Sequence, residues 1–362
     1  MKMLLLGDVC PTVSSAPLFK EKNTSALFGR TTELFKNKDF VFVNLECALT
    51  EGEKTIAKYG PHLKAPAETA QVLKELGVDC CGLSNNHVFD FGKEGALDTI
   101  EALQKSQISY TGFGENYEDS RRNFIIEKEG EKIALIAVCE HEYSYAIENR
   151  MGSRPYDEYD TMEDIRKAKA ECDRVVVIYH GGKEFCRYPS PRLHKLCRAM
   201  VKNGADLVLC QHSHCIGCYE NYDGGHILYG QGNFHFVKFH SFEGWTTCLA
   251  VNYDSKSNTV DFTPITSGEV GVDLCDDDLA NEIMAQFEKR NQSLADGSWI
   301  EGWREFCEGV REHYTRAVAE AFLPDSTEQQ NGVISHYLDC EAHTDVWREI
   351  FPTYNLTNCI DD

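Results

Sequence analysis

Side chains that can bind a metal ion or transfer a proton follow several short apolar runs of this sequence. The densest group is SNNHVFDFG at positions 84–92, which comes directly after the apolar run 78–83. Asparagine is a poor strand former, and a buried Asn-Asn-His sequence needs partners for several polar groups. Groups of the same kind follow other apolar runs: Asp8 in GDVC, Asn44 and Glu46 in NLE, His180 in HGGKEF, and His212 and His214 in QHSH.

These side chains are far apart in the sequence, and only the fold could bring them together. In open α/β sheets, ligands bind beyond the carboxyl ends of the strands, so residues that follow different strands would converge at one edge. Carboxylate, amide oxygen and imidazole groups suit divalent ions such as Mn²⁺, Fe²⁺ or Zn²⁺. The residue types therefore predict a catalytic site with one or two such ions, and a carboxylate could bridge two ions about 4 Å apart.

Alternating strand and helix patterns over the first two thirds of the chain must position this site. Apolar runs predict strands over 2–6, 40–43, 78–83, 108–111, 175–179, 206–210 and 226–229, with hairpins over 123–140 and 246–265. Helical patterns cover 26–35, 66–76, 93–104, 161–172 and a segment after Pro191 that reaches 203. This alternation predicts an α/β layered core.

The character of the sequence changes near residue 273. Segments 276–294 and 302–322 have the pattern of amphipathic helices, and a third segment near the C-terminus is also expected to be helical. We therefore expect a core domain of residues 1–270 and a helical C-terminal extension of residues 271–362 that packs on it. Trp299, Trp303 and Trp347 are interpreted as packing residues of this extension.

Composition restricts the partners and the compartment. The chain carries 36 basic and 58 acidic residues, a formal charge of −22, which argues against nucleic-acid and anionic-membrane partners. A small anionic substrate remains compatible, because a bound metal can reverse the local field. The N-terminus, MKMLLLGDVC, has no apolar stretch long enough for an export signal or anchor, so the 16 cysteines indicate a reducing compartment. We expect a soluble cytoplasmic protein.

The ordered motifs resemble those of a known family. GDV, NLE, KAP, SNNHVFDFG, HGGKEF, QHSH and YGQGNF, from Met3 to Phe236, are similar to the bacterial capsule-synthesis CapA family, which is linked to poly-γ-glutamate. That family looks like a branch of the calcineurin-like metallophosphatases. The resemblance implies an α/β fold with a layered β-sandwich core flanked by helices, a divalent-metal site and hydrolase activity.

The resemblance also implies roles by position. His87 would be the general acid that protonates the leaving-group oxygen, with Asp90 orienting its ring. Glu46 would be the bridging carboxylate, and Asn86 would bind a metal through its amide oxygen. The full set of implied metal ligands is Asp8, Glu46, Asn86, His180, His212 and His214. The residues expected to support the site or contact the substrate are Asn44, Asn85, Glu184 and Asn233.

Three departures from the family pattern bear on these roles. Many metallophosphatases carry Asp-x-His at the first strand, where this chain has Cys10. A thiolate there could bind an ion, but packing is the favoured role, and one metal position could then be weaker or empty. The usual HWGxEY appears as HGGKEF, which keeps Glu184 and loses an aromatic residue that could stack on a substrate. Family members that act on capsule polymer are usually membrane-anchored outside the cell. This sequence begins directly at its first predicted strand, so a direct role in polymer export is not expected.

Three functions are compatible with this pattern. The first is a metal-dependent phosphoesterase that acts on a small or peptidic phosphoester. The second keeps the metal but hydrolyses an amide, or epimerises a γ-glutamyl or peptide substrate, because a Lewis acid polarises a carbonyl as readily as a phosphoryl group. The third is a non-catalytic accessory protein of polyglutamate synthesis whose ions are structural. In both enzymatic cases the partner is a small-molecule or peptide substrate.

Overall fold

Two large β-sheets form the centre of the computed structural model, which describes residues 1–140 and 142–351. The strands are β1 (Lys2–Val9), β2 (Phe40–Leu45), β3 (Ala48–Leu49), β4 (Lys64–Ala65), β5 (Cys80–Gly82), β6 (Ser109–Thr111), β7 (Phe113–Gly114), β8 (Phe124–Lys128), β9 (Glu131–Cys139), β10 (Gly152–Ser153), β11 (Arg174–His180), β12 (Leu207–Gln211), β13 (Tyr219–Tyr222), β14 (Gly225–Leu228), β15 (Asn233–His235), β16 (Thr247–Asp254), β17 (Thr259–Ser267) and β18 (Val272–Leu274). One sheet has the order β18-β17-β16-β1-β2-β5-β6 with β15 beside β1, and the other has the order β13-β14-β12-β11-β9-β8.

The two large sheets pack against each other through one face each. Along β1 the side chains alternate: Met3 and Leu5 join a buried cluster with residues of β9, β11 and β12, whereas Leu4 and Leu6 join a different cluster. This period of two is the pleat of a strand that is buried on both faces. Both sheets therefore have one face in a shared core and one face free for helices.

Helices cover the outer faces of both sheets. They are α1 (Ala16–Lys20), α2 (Thr24–Phe28), α3 (Glu68–Leu76), α4 (Gly92–Lys105), α5 (Tyr117–Ser120), α6 (Glu158–Glu171), α7 (Pro191–Lys202), α8 (Asp277–Asp296), α9 (Trp299–Ala321), α10 (Glu328–Asp339) and α11 (Glu341–Ile350), with 3-10 turns at Gly29–Phe35, Glu142–Ser144 and Glu243–Thr246. Helices α3 and α4 pack in the cluster of Leu4 and Leu6, and α6 and α7 pack on the six-stranded sheet. The predicted α/β fold, a layered β-sandwich core flanked by helices, is confirmed.

The C-terminal helices pack on this core. Ile283 and Phe287 of α8 enter the cluster between the two sheets, while α9, α10 and α11 form their own buried cluster around Trp303 and Tyr314. Cys186, which belongs to the core, is part of that second cluster. The helical C-terminal part is as expected, and the domain boundary near residue 270 stays a prediction.

Some predicted elements differ from the structure for local reasons. The helix expected over 26–35 ends at Phe28, because Gly29 has φ +43°, and the chain continues as a 3-10 turn. The helix expected from Pro66 begins at Glu68, after Ala67 at its N-cap. The third C-terminal segment forms two helices, because Cys340 has extended backbone (φ −88°, ψ 122°) between α10 and α11.

The scattered cysteines are expected to be small buried residues in the reduced form. The cysteines within the described ranges are thiols rather than disulfides, and nearly all of them are buried. Across those same ranges, no helix has the length and apolar character needed to cross a membrane. The compartment stays a prediction.

Candidate metal centre

The donor residues lie at the carboxyl ends of parallel strands in both sheets. β1 pairs in parallel with β2, with Asp8 beside Asn44, and β11 pairs in parallel with β12, with His180 beside Gln211. The segments that follow β2 and β12 carry Glu46 and the two histidines of QHSH. Because the two sheets are stacked, these two edges meet, and the predicted convergence of distant residues takes place between the sheets.

Five of the predicted ligands form two overlapping groups. Glu46, His180 and His212 offer donor atoms within 4.8 Å of one another, and so do Asp8, Glu46 and His214. Glu46 belongs to both groups, so its carboxylate could be shared by two ions if both groups held one. The sixth predicted ligand, Asn86, places its Oδ1 2.9 Å from Nε2 of His180.

Glu46 provides the test of whether a cation fits here. Its side chain is fully buried, and neither carboxylate oxygen has a hydrogen-bond partner among the described residues. Nε2 of His180 lies 3.3 Å from Oε1, and Nε2 of His214 lies 3.9 Å from it. An ionised carboxylate that is buried without hydrogen bonds costs several kcal/mol, roughly 3 or more. A divalent ion would remove this cost, so the oxygen and nitrogen donors fit the predicted metal.

Burial dominates the electrostatics of the two carboxylates and of His180. Burial and the neighbouring charge of Glu46 raise the pKa of Asp8 to about 6, and burial also raises the pKa of Glu46. Burial lowers the pKa of His180 to about 4, so this imidazole is held in the neutral form that binds metals. The site disfavours two adjacent negative charges unless a cation is present.

The turn after β12 has an uncommon backbone. His212 and His214 both have positive φ, +81° and +53°, in the region that non-glycine residues rarely adopt. The amide N–H of His212 donates to Oδ2 of Asp8 at 3.3 Å, and Nδ1 of His214 is hydrogen-bonded to Oδ1 of Asn233 at 2.8 Å. These contacts hold the turn, and the Asn233 bond leaves Nε2 of His214 on the side of Glu46. Asn233 therefore orients a donor ring.

Asn44 and Asn85 connect the donors behind the site. Nδ2 of Asn44 donates to Oδ1 of Asp8 at 2.7 Å, and Oδ1 of Asn44 accepts from Nδ2 of Asn85 at 3.2 Å. Oδ1 of Asn85 accepts from the amides of His87 and Val88, at 3.1 and 2.9 Å. Asn85 thus fixes the turn that carries Asn86 and His87.

His87 lies against a buried carboxylate and a buried lysine. Its Nδ1 is 2.7 Å from Oδ2 of Asp90, which also accepts from the amide of Leu63 at 2.7 Å. Lys58 donates to the other Asp90 oxygen, and its Nζ is 3.1 Å from Nδ1 of His87. Burial, followed by the charge of Lys58, lowers the pKa of His87, although Asp90 opposes this. With Nδ1 engaged by Asp90, Nε2 is the nitrogen left for proton transfer.

Sequence reasoning missed Lys58. The residue lies in the segment 51–63, where no apolar period or motif marks any position, and its side chain is only 2% exposed. Its contact with Asp90 depends on how this loop folds over the SNNH turn. The nearest signal was the KAP motif at 64–66, a few residues later.

Cys10 lies apart from the donor groups. Its thiol belongs to neither of the two groups, and the side chain sits in the hydrophobic core with its Sγ 3.9 Å from the carbonyl oxygen of Pro11. Burial raises the pKa of this thiol well above its usual value. The structure therefore places Cys10 among packing residues.

A cavity of about 520 Å³ opens onto the donor groups. Asn86, His87, His212 and His214 line its inner end, and Glu184 lines it with a side chain that is 36% exposed. Its outer wall comes from residues that no motif marked: Tyr59, Tyr143, His240, Gln329, His336 and His343. The last three belong to α10 and α11, so the C-terminal helices border the site.

The fold and the paired donor groups define a layered α/β protein with a candidate dinuclear metal centre. Residues 2–238 match the family described as bacterial capsule synthesis protein PGA_cap, which covers well over half of the chain. The chain belongs to this family, as its motifs predicted.

Similar proteins come from species of Bacillus and Mycobacterium. The capsule biosynthesis protein CapA of Bacillus anthracis is 32% identical over 255 residues, which is 68% of this chain and 61% of that protein. The PGA biosynthesis protein CapA of Bacillus subtilis (strain 168) is 29% identical over 265 residues, 70% of this chain and 67% of that protein. A probable polyglutamine synthesis accessory protein of Mycobacterium tuberculosis is 26% identical over 209 residues, 54% of this chain and 55% of that protein. The matches thus span between about half and two thirds of these relatives.

Solved structures with a related chain path are more distant. A hypothetical protein from Thermus thermophilus has a TM-score of 0.43 and 15% identity, over 73% of this chain and 98% of that chain. The 5'-nucleotidase from Candida albicans SC5314 has a TM-score of 0.40 and 11% identity, over 73% of this chain and 51% of that chain. Likeness at this level does not bear on activity.

Proposed function

We propose that this chain is a metal-dependent hydrolase and that its reaction is the cleavage of a phosphoester. The observation that carries the proposal is Glu46, a buried carboxylate without a hydrogen bond from the described residues that belongs to both donor groups. A structural ion would need only one closed group of ligands, whereas two groups that share a carboxylate and open onto a cavity are typical of catalytic centres. The residues proposed to hold the ions are Asp8, Glu46, Asn86, His180, His212 and His214.

The protein residues would contribute positioning and proton transfer. When bound, divalent ions would supply Lewis-acid stabilisation of the charge that develops on the phosphoryl oxygens. As water attacks phosphorus and the ester P–O bond breaks, the imidazolium form of His87, with Nδ1–H on Asp90, would give its Nε2 proton to the departing oxygen, and the attacking water would lose a proton to solvent. Because the pKa of His87 is lowered, this form is a minor but more acidic one at neutral pH. Asp90 would hold Nδ1 of His87, and Lys58 would hold Asp90, so that the ring keeps its direction during the transfer. Asn233 would hold His214 in the same manner.

The names of the relatives support a link to polymer synthesis. Proteins that share this family are named for capsule, PGA or polyglutamine synthesis. We propose that this chain serves the same kind of process, with the hydrolase reaction as its contribution.

Turnover by metal-loaded protein tests the proposal. Protein stripped with a chelator and reloaded separately with Mn²⁺, Fe²⁺ or Zn²⁺ should cleave p-nitrophenyl phosphate or bis-p-nitrophenyl phosphate, and elemental analysis should find one or two ions per chain. A Glu46→Gln protein prepared in parallel should bind less metal and show no turnover. Bound metal without cleavage of either ester would refute the phosphoesterase reaction.

A second candidate reaction is amide hydrolysis or epimerisation of a γ-glutamyl substrate. The name of the Bacillus subtilis relative, a PGA biosynthesis protein, favours it, and the same ions could polarise a carbonyl group. Incubation of γ-glutamyl peptides with the metal-loaded protein in D₂O separates the outcomes. Deuterium uptake at the α-carbon without cleavage would indicate epimerisation, and new amino groups would indicate hydrolysis.

A further inference from the structure

The space next to the donor groups is larger than a phosphoryl group requires. The cavity of about 520 Å³ adjoins a second one of about 440 Å³, and Tyr59, Phe185, His240 and His336 line both. Together they are in the size range of pockets that enclose a small organic ligand, about 300–1,000 Å³. The space therefore has room for a substrate that extends beyond a phosphoryl group, toward α10 and α11.

Flat rings form the walls of this outer space. The His336 ring stacks on Tyr143 with centroids 5.4 Å apart and an interplanar angle of 27°, and Tyr59 lies 5.9 Å from the same imidazole. On another side, Phe185 and His240 stack at 4.5 Å and 22°. These rings come from separate parts of the chain, so their convergence at one cavity is a property of the fold.

Charged groups are scarce on the same walls. Among the described residues that line the two cavities, the side chains with a permanent charge are Lys58, Lys183 and Glu184. Lys58 is paired with the buried Asp90, and Nζ of Lys183 lies 3.5 Å from Glu184. The walls thus offer little uncompensated positive charge, and the chain carries −22 overall. A substrate segment with several carboxylates would find few cationic side chains to pair with on these walls. An uncharged ring would make stacking contacts with them.

A network of buried polar contacts fixes the wall. Asp345 of α11 accepts from Nε of Arg192 at 2.8 Å and from Oγ of Ser190 at 2.6 Å. Arg192 also donates to Glu140 at 2.9 Å, and Glu140 accepts from the amide of Gly182, two residues after His180, at 2.8 Å. The helix that carries His343 is therefore tied to the segment that follows His180, one of the proposed metal ligands. The ring of His343 lies edge-on to that of His336 with centroids 4.6 Å apart, so this tie restricts the position of one ring of the wall.

We infer that this outer space is a ring-binding subsite: it takes an uncharged, planar aromatic or heteroaromatic group of the substrate between Tyr59, Phe185, His240 and His336. The inference rests on the proposed function, since the ring must be joined to the phosphoryl group that reaches the donor residues. It extends that function by naming the class of group next to the scissile bond.

Two phosphonates that differ only in their ring test the subsite. Benzylphosphonate and cyclohexylmethylphosphonate have the same charge and nearly the same length, but only the first has a planar aromatic ring. Calorimetric titration of the Mn²⁺-loaded protein should show roughly three- to tenfold tighter binding of benzylphosphonate, the contribution typical of a stacked aromatic pair. Binding is measured without any bond cleavage, so the result does not depend on turnover.

Variants of the wall complete the test. Tyr59→Leu and, independently, His336→Leu should reduce the preference for benzylphosphonate to about twofold or less, while Tyr59→Phe, which keeps the ring, should retain it. Equal affinities in the wild-type protein, a preference unchanged in both leucine variants, or no binding of either phosphonate would overturn the inference. A ring preference without hydrolysis of any phosphoester would overturn only the proposed function, and hydrolysis without a ring preference would overturn only the subsite.

Discussion

The donor groups and the wall of α10 and α11 border one cavity but are built differently. The donor groups come from strand ends within residues 2–238, the part that matches the family, and they are buried polar groups held by hydrogen bonds. Helices α10 and α11 lie beyond residue 238, and the rings of His336, Tyr337 and His343 that they carry pack on one another. Under the proposed function, the family core would supply the reaction, and His336 of α10 would join Tyr59 and Phe185 of that core in selecting what is attached to the reacting group.

Removal of the shared carboxylate should have the largest effect on the donor side. Glu46→Gln should lower metal affinity by at least about 100-fold, more than the loss of a residue that merely orients a ligand, and should abolish turnover. Metal content and hydrolysis of an aryl phosphate measure the two effects. A variant that binds metal normally would show that Glu46 does not belong to the centre.

The same change should raise the stability of the metal-free protein at neutral pH. The folded-state pKa of Glu46 is raised by burial, so its ionisation opposes folding increasingly as the pH rises through that value. Below the unfolded-state pKa the side chain is protonated in both states and the effect disappears. Thermal unfolding in a chelator should therefore show a higher Tm for Glu46→Gln than for the wild type at pH 7, and this difference should shrink toward pH 4. A difference in Tm that does not depend on pH would contradict burial of the charged carboxylate as the cause.

Loss of the proposed acid should be the next largest effect, and it should leave the metal in place. His87→Ala should lower kcat by roughly 10²–10⁴-fold with metal content close to wild type, because His87 belongs to neither donor group. Single-turnover assays with elemental analysis measure both quantities. Unchanged turnover would favour the alternative of an accessory protein with structural ions.

Lys58 should have a smaller effect, because it acts through Asp90. Lys58→Met should lower kcat by roughly 10–100-fold with little change in KM, and should cost about 3 kcal/mol of stability, since it leaves a buried carboxylate short of a partner. Lys64→Met is the matched control, because Lys64 lies nearby and pairs with an exposed carboxylate of Glu53. Equal kcat and equal stability of the two variants would show that Lys58 has no role in the site.

The smallest effect on chemistry should come from the wall. Asp345→Asn weakens the contacts of α11 with Arg192 and Ser190, so KM for an aryl phosphate should rise about threefold, the scale of one lost stacking contact, while kcat stays within twofold. Glu341→Gln is the control, because Glu341 contacts the same Arg192 from an exposed position. A fall in kcat as large as that of Lys58→Met would show that the wall and the donor groups are not separable.

The donor residues could be predicted from the sequence because each one follows an apolar run directly. Apolar runs such as those of β1 and β11 mark strands that are buried on both faces, and the residue types that follow them indicate the chemistry. Those runs do not indicate that two sheets stack on each other. That expectation came from the family resemblance. The wall could not be predicted, because His336 and His343 lie on helices whose apolar period reports only packing. The role of Lys58 could not be predicted for a related reason, because its contact with Asp90 depends on the path of an irregular loop.

The positive φ angles of His212 and His214 bear on how the molecule folds. Each such residue costs on the order of 1–3 kcal/mol and persists only when its surroundings hold it. The holding contacts come from Asp8 and Asn233, and Asp8 lies on the other sheet, more than 200 positions away in the sequence. We expect this turn to form only after the sheets have docked, because contacts of such long range form late. Acquisition of metal would then report that the whole sandwich has been assembled correctly.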